Sequence, residues 1–201
     1  TYETLHRWPQ IAGKTRLALE PLVNHWWEVP FYLSARGFTT SAMPYGSAGL
    51  VEIEFDFIDH QLTFRTSEGA RQSMALRARS VADFYREYRE ILGSLGVGAK
   101  IWPVPVELPD ALPFLADQVH AAYDPVMAER FWRVLIQVDR VFKVFRSRYV
   151  GKASPVHLFW GAMDLAVSRF SGRTAPPHPG GAPNVGDWVM REGYSHEVSS
   201  A

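Results

Sequence analysis

The period of the hydrophobic residues changes several times along the chain, and each change predicts a different element. Leu5, Trp8, Ala12, Thr15, Leu19 and Leu22 recur every three or four residues, which predicts an amphipathic helix over about 10–22. Pro9 fits only in its first turn, where a missing N–H costs nothing, and Pro21 marks its end. The period then falls to two. Trp27, Val29, Phe31, Leu33 and Ala35 face one way and Trp26, Glu28, Tyr32, Ser34 and Arg36 the other, a strand whose Pro30 suits an edge or a bulge.

The strictest alternation follows, with Val51, Ile53, Phe55 and Phe57 separated by Glu52, Glu54 and Asp56, and Leu62 and Phe64 by Thr63. A two-residue turn at Asp59-His60 would set Phe57 against Leu62, Phe55 against Phe64 and Glu54 against Arg65. Asp-His is a poor residue pair for such a turn, so a longer loop with shifted register stays open. Glu68-Gly69 turns the chain into another strand near Arg71 to Leu76.

Ser80 and Asp83 form a variant capping box for a helix over about 80–95, which Gly96 stops. Lys100 to Leu108 reads as a short, Pro-interrupted extended piece. Asp124-Pro125 starts a long helix in which Met127, Phe131, Val134, Leu135, Val138, Val141, Phe142, Phe145 and Tyr149 hold one face. Pro155 to Phe170 is apolar on every face, so a buried central strand leads and a helix begun by Ser154 and Pro155 remains open. From 171 to 201 periodicity gives way to Gly and Pro, with Trp188, Met190 and Tyr194 as apolar anchors. The expected fold is a single α+β domain over 1–201. An antiparallel sheet of about five to seven strands packs against three main helices, with the irregular segment 171–201 laid on it.

Composition narrows the class of protein. At 47% apolar and 21% charged the chain is globular, and its 21 basic and 21 acidic residues balance. That balance argues against a nucleic-acid partner held by counterion release and against polybasic attachment to a membrane. The absence of cysteine removes disulfides, thiolate metal sites, iron–sulfur clusters and cysteine nucleophiles. No apolar run has the length of a membrane span and the first residues lack a signal-peptide core, so a soluble, cytoplasmic protein is expected.

Common motifs fail on spacing. Gly13-Lys14-Thr15 resembles the end of a phosphate-binding loop, but Trp8 stands where that loop needs its first glycine. The row Glu52, Glu54, Asp56 reads best as a solvated sheet face paired with Arg65, and the basic residues of the long helix as its solvated side. The seven histidines carry more, because without cysteine they are the main candidates for proton transfer and metal ligation. His157 and Asp164 lie in the most apolar segment and each needs a partner, with Arg169 a natural one for Asp164. His178 sits on a stiff Pro track, and His196 neighbours Glu192 and Glu197. Two or three of His157, His178, His196 and Glu192 could hold a metal, but their spacing enforces nothing and no metal is assigned.

Several stretches together resemble a known family: Val23-Asn24-His25-Trp26, Arg36-Gly37-Phe38-Thr39-Thr40, Asp56-Phe57-Ile58-Asp59-His60, Ser154-Pro155-Val156-His157, Phe159-Trp160-Gly161, Arg169-Phe170-Ser171-Gly172, Pro176-Pro177-His178-Pro179-Gly180-Gly181 and Tyr194-Ser195-His196-Glu197. The chain resembles the bacterial family catalogued as domain of unknown function family 5996, a resemblance that implies no reaction, cofactor or catalytic residue.

The residues themselves lead to a small-molecule-binding domain, with enzyme and passive binder both open. His157, Asp164, His178 and His196 are the acid–base candidates, and Arg36, Arg169, Trp26, Tyr32 and Trp160 are the substrate-binding candidates. The cofactor is unknown, and a homo-oligomer is compatible with the chain. The rival expectation is a protein-interaction or homo-oligomerisation module with structural histidines.

Overall fold

The computed structural model describes residues 1–173 and the strand 196–200. Its elements in chain order are α1 (Tyr2–Leu19), β1 (Tyr32–Leu33), β2 (Gly37–Thr39), β3 (Met43–Tyr45), β4 (Gly49–Asp56), β5 (Gln61–Thr66), β6 (Arg71–Ala75), α2 (Val81–Ser94), α3 (Pro125–Ser147), β7 (His157–Phe159), β8 (Asp164–Arg169) and β9 (His196–Ser200). The antiparallel six-stranded sheet runs β1-β2-β4-β5-β6, with β3 also paired to β4, and β7-β8-β9 form a second sheet. Phe31 and Leu158 exchange backbone hydrogen bonds of 2.9 and 2.8 Å and tie the two sheets together. The expected α+β class and sheet are present, and the strand content is divided between two sheets.

Helix α1 begins earlier than its pattern predicts and carries Pro9 inside it. A proline there removes one helical hydrogen bond and costs roughly 3 kcal/mol in an isolated helix. Every residue from Thr4 to Arg16 is buried, so tertiary packing outweighs that cost. Trp8 stacks on Phe84 of α2 with centroids 4.6 Å apart, and the Tyr88 hydroxyl donates to Thr15 Oγ1 at 2.7 Å. The helix stops at Leu19 because Glu20, preceding Pro21, turns extended.

The long strand expected over 26–36 is not formed. Asn24–Trp26 is a short 3-10 turn in which His25 and Trp26 take positive φ, and only Tyr32–Leu33 pairs, at the sheet edge. Lys100 to Leu108 likewise forms no strand.

The β4–β5 hairpin has the shifted register. Phe55 faces Leu62, Ile53 faces Phe64 and Glu52 faces Arg65. The cause is Asp56, whose Oδ1 accepts from the N–H groups of Ile58 and Asp59 and builds a longer turn. The register slips by two residues, which keeps the apolar face intact, and Arg65 reaches diagonally to Glu54 at 2.8 Å.

Both helix starts are as expected: Ser80 accepts from Asp83 N, and Asp124 accepts from Val126 N and Met127 N. Gly96 stops α2 with φ +71°. The buried row of α3, however, is Ala128, Trp132, Leu135, Asp139 and Phe142. Met127, Val134 and Val141, placed by periodicity on the core face, are 52, 55 and 64% exposed. The core takes the arc centred on Trp132, so one edge of the apolar stripe stays outside it. Pro155 to Phe170 resolves into the hairpin β7–β8 rather than one strand or a helix, with residues 160–163 as its turn. In the segment expected to be irregular from 171 to 201, the described residues include the strand β9, paired to β8.

Candidate functional site

One face of α1 carries a polar stripe at four-residue spacing, Tyr2, His6, Gln10 and Lys14, within an otherwise buried helix. Opposite it lies the β7–β8 turn. Gly13 lets the turn approach: a Cβ there would come within 3.0 Å of three indole atoms of Trp160. Trp160 is held by its own Nε1–H, which donates to Val29 O at 2.8 Å. His6 Nε2 and Gly161 O are 2.6 Å apart. A carbonyl only accepts, so the proton sits on Nε2, and neutral His6 keeps Nδ1 as a free acceptor.

Gln10 clamps the third side of the seam. Its Nε2 donates to Val106 O at 2.9 Å and its Oε1 accepts from Val106 N at 2.7 Å. The next residue, Glu107, has φ +58° and folds its carboxyl onto Gly161, where an added Cβ would collide with it. Met163, immediately before Asp164, also has φ +58°. Left-handed backbone costs a non-glycine residue roughly 1–2 kcal/mol, and such strain concentrates at functional sites. Here it presents two carboxyls, Glu107 and Asp164, to one seam from segments far apart in the chain.

The electrostatics of the seam favour neutral forms. Burial raises the Asp164 carboxyl above its ordinary value. Burial also raises Glu107, and the neighbouring Asp164 charge adds to it. The Tyr2 phenol is pushed up by the same two causes. Burial lowers His6 despite its bond to Gly161, and burial alone lowers Lys14. Neither Glu107 nor Asp164 has an ion-pair partner among the described residues. The Asp164 charge raises Glu107, so the two titrate apart, the arrangement in which one carboxyl can give a proton while its ionised neighbour takes one.

Of the residues singled out by sequence, Asp164 and Trp160 meet at this seam. His157 lies on the same hairpin but 1% exposed, edge-on to Phe159 with ring centroids 4.6 Å apart. Its Nδ1 donates to Pro155 O at 2.7 Å, its Nε2 has no partner among the described residues, and burial lowers its pKa. Arg36 is spent on Asp56 and Asp59 at the β4–β5 turn. Arg169 lies over the Phe145 ring, 3.4 Å from its centroid, rather than beside Asp164. Tyr32 lies under the Arg16 guanidinium, and Trp26 is half-buried in the 3-10 turn. His196 stands opposite Arg169 in the β8–β9 ladder, and His178 and Glu192 lie outside the described residues. The acidic row of β4 pairs with Arg65 as expected but is not a solvated face: Glu54 and Asp56 are buried, with Glu52 accepting from Thr39 and Glu54 from Ser34 and Arg65.

The sequence does not single out His6, Gln10 or Glu107, and marks Lys14 only within the rejected phosphate-loop stretch. The four-residue polar stripe of α1 was a legible signal; nothing local marks Glu107. Among the described residues no group of three or more His, Asp or Glu could hold a metal ion, and no helix is long and apolar enough to cross a membrane.

The architecture and the seam define a two-sheet α+β fold with a carboxyl pair, half-buried Asp164 and exposed Glu107, between its first helix and its second sheet. The family model for the family of unknown function DUF5996 matches residues 1–201, and the protein belongs to that family. No curated protein and no solved structure matches the chain.

Proposed function

We propose that this protein binds a small molecule at the α1/β7–β8 seam and acts on it by general acid–base chemistry. The observation that carries this reading is the convergence of exposed Glu107 and half-buried Asp164, both on or beside left-handed backbone, both raised above their ordinary values and neither ion-paired among the described residues. The protonated carboxyl of the pair gives the proton and its ionised neighbour takes one, while His6, fixed by Gly161, orients the ligand through Nδ1. The test is turnover. Wild-type protein incubated with a fractionated metabolite mixture depletes one compound, and Glu107→Gln and Asp164→Asn each suppress that depletion while keeping the wild-type circular dichroism. Depletion unchanged in both variants defeats the assignment.

A second reading, a protein-interaction or homo-oligomerisation module, draws support from the exposed row Met127, Val134 and Val141. Beside it lies a hollow of about 430 Å³ lined by Tyr2, Leu5, Met127, Arg130, Phe131 and Val134. Light scattering after size exclusion separates the two: a dimer lost in Val134→Glu favours the interface.

A further inference from the structure

Lys14 stands apart from the chain's other three lysines, Lys100, Lys143 and Lys152. Lys143 pairs with Asp139 at 2.6 Å, Lys152 lies 3.2 Å from His25 Nε2, and Lys100 is exposed. Lys14 is only 6% exposed, yet its ammonium has no ion pair or hydrogen bond among the described residues. Its Nζ lies 5.8 Å from the Trp160 ring centroid, one helical turn beyond Gln10 on the seam-facing stripe of α1. Burying an ammonium without an anion is costly, and the cheapest relief is loss of the proton. The Nζ atom itself is not fully buried and keeps a small opening to solvent. A surface lysine stem lying on an aromatic ring would instead carry its charge outward into water. An amine held free of acids, largely dehydrated and reachable is the environment of nucleophilic lysines.

We propose that Lys14 is a carbonyl-reacting nucleophile, and that the ligand class of the seam is a small, uncharged aldehyde or ketone. This rests on the reading of the seam as a reaction site. The Lys14 nitrogen lone pair adds to the carbonyl carbon, and the carbinolamine then expels the former carbonyl oxygen as water. That water carries away two protons from the amine side, leaving a C=N bond with no oxidant or reductant required. Solvent water supplies the proton that lets the oxygen leave and takes up the one that the nitrogen gives up. The Trp160 face favours an aromatic carbonyl, and the neutral-leaning carboxyls give no anchor to an anion.

The experiment uses the full chain with benzaldehyde and cyanoborohydride at neutral pH, read by intact-mass and peptide-mapping mass spectrometry. Reduction of the imine adds the probe's mass less one oxygen atom. The expected result is a saturable adduct at Lys14 that forms before any at Lys100, Lys143 or Lys152, and that is lost in Lys14→Arg. Labelling that follows exposure, with Lys100 first and Lys14 unmodified, overturns the proposal. A Lys14 adduct in a protein whose metabolite depletion ignores both carboxyl variants leaves the lysine standing and removes only the acid–base reading. Depletion that needs the carboxyls, in a protein whose Lys14 does not label, does the reverse.

Discussion

Gly13→Ala tests the packing that builds the seam, because two physical effects predict opposite signs. Gly13 lies in the interior of α1, where alanine is favoured over glycine by about 1 kcal/mol. Propensity alone therefore predicts a more stable protein. The structure predicts the reverse: the new methyl would fall within 3.0 Å of Nε1, Cδ1 and Cε2 of Trp160. That indole is 6% exposed and anchored to Val29 O, so it has nowhere to swing. Forcing a buried group aside costs about 1–3 kcal/mol, and stranding the buried Val29 carbonyl and indole N–H costs a similar amount. The expected net loss is about 3 kcal/mol, or roughly 6–12 °C in Tm for a chain of this size. Urea unfolding followed by far-ultraviolet circular dichroism measures it. In a Trp160→Leu background the same change becomes neutral or stabilising, since the obstacle is gone. A Gly13→Ala protein as stable as wild type, or more so, refutes the close approach of α1 to the β7–β8 turn.

Other outcomes follow from the same contacts. Because the Asp164 carboxyl is raised on folding, the native state holds its proton more tightly than the unfolded chain. Stability is thus lost as pH climbs from the ordinary 3.8 through the raised native value. Asp164→Asn accordingly stabilises the protein at neutral pH, and the gain disappears below about pH 3.8, checked by denaturant midpoints across pH. His157 behaves oppositely. Its native pKa is lowered, so the unfolded chain takes the proton first and stability falls as pH drops below 6.5. His157→Gln flattens that acid-side slope in the same titration, with His6 supplying the remainder. Removing the Asp124 cap with Asp124→Ala costs about 1 kcal/mol in thermal melts. Asp117→Ala strands the buried Arg7 guanidinium, whose other ion pair is to exposed Asp110, and costs about 3 kcal/mol by urea titration.

Local chemistry made much of this fold legible in the residues themselves. The alternation over 51–65, the Ser80 and Asp124 caps and the Gly96 stop each depend on neighbours a few positions away, and each is where sequence places it. Elements governed by distant contacts were not legible. Helix α1 runs through Pro9 because α2 and the β7–β8 turn bury it from Thr4 to Arg16, and Val134 is exposed because the core takes the Trp132 side of α3. The same division holds at the seam. Asp164 stood out because it interrupts an apolar run, but its neighbours could not, since Glu107 and His6 meet Gly161 only after long-range packing. Spacing of three, four or two residues is a property of the chain alone. Which buried face meets which, and which charge is left without a partner there, is decided by the desolvation that comes only with tertiary contact.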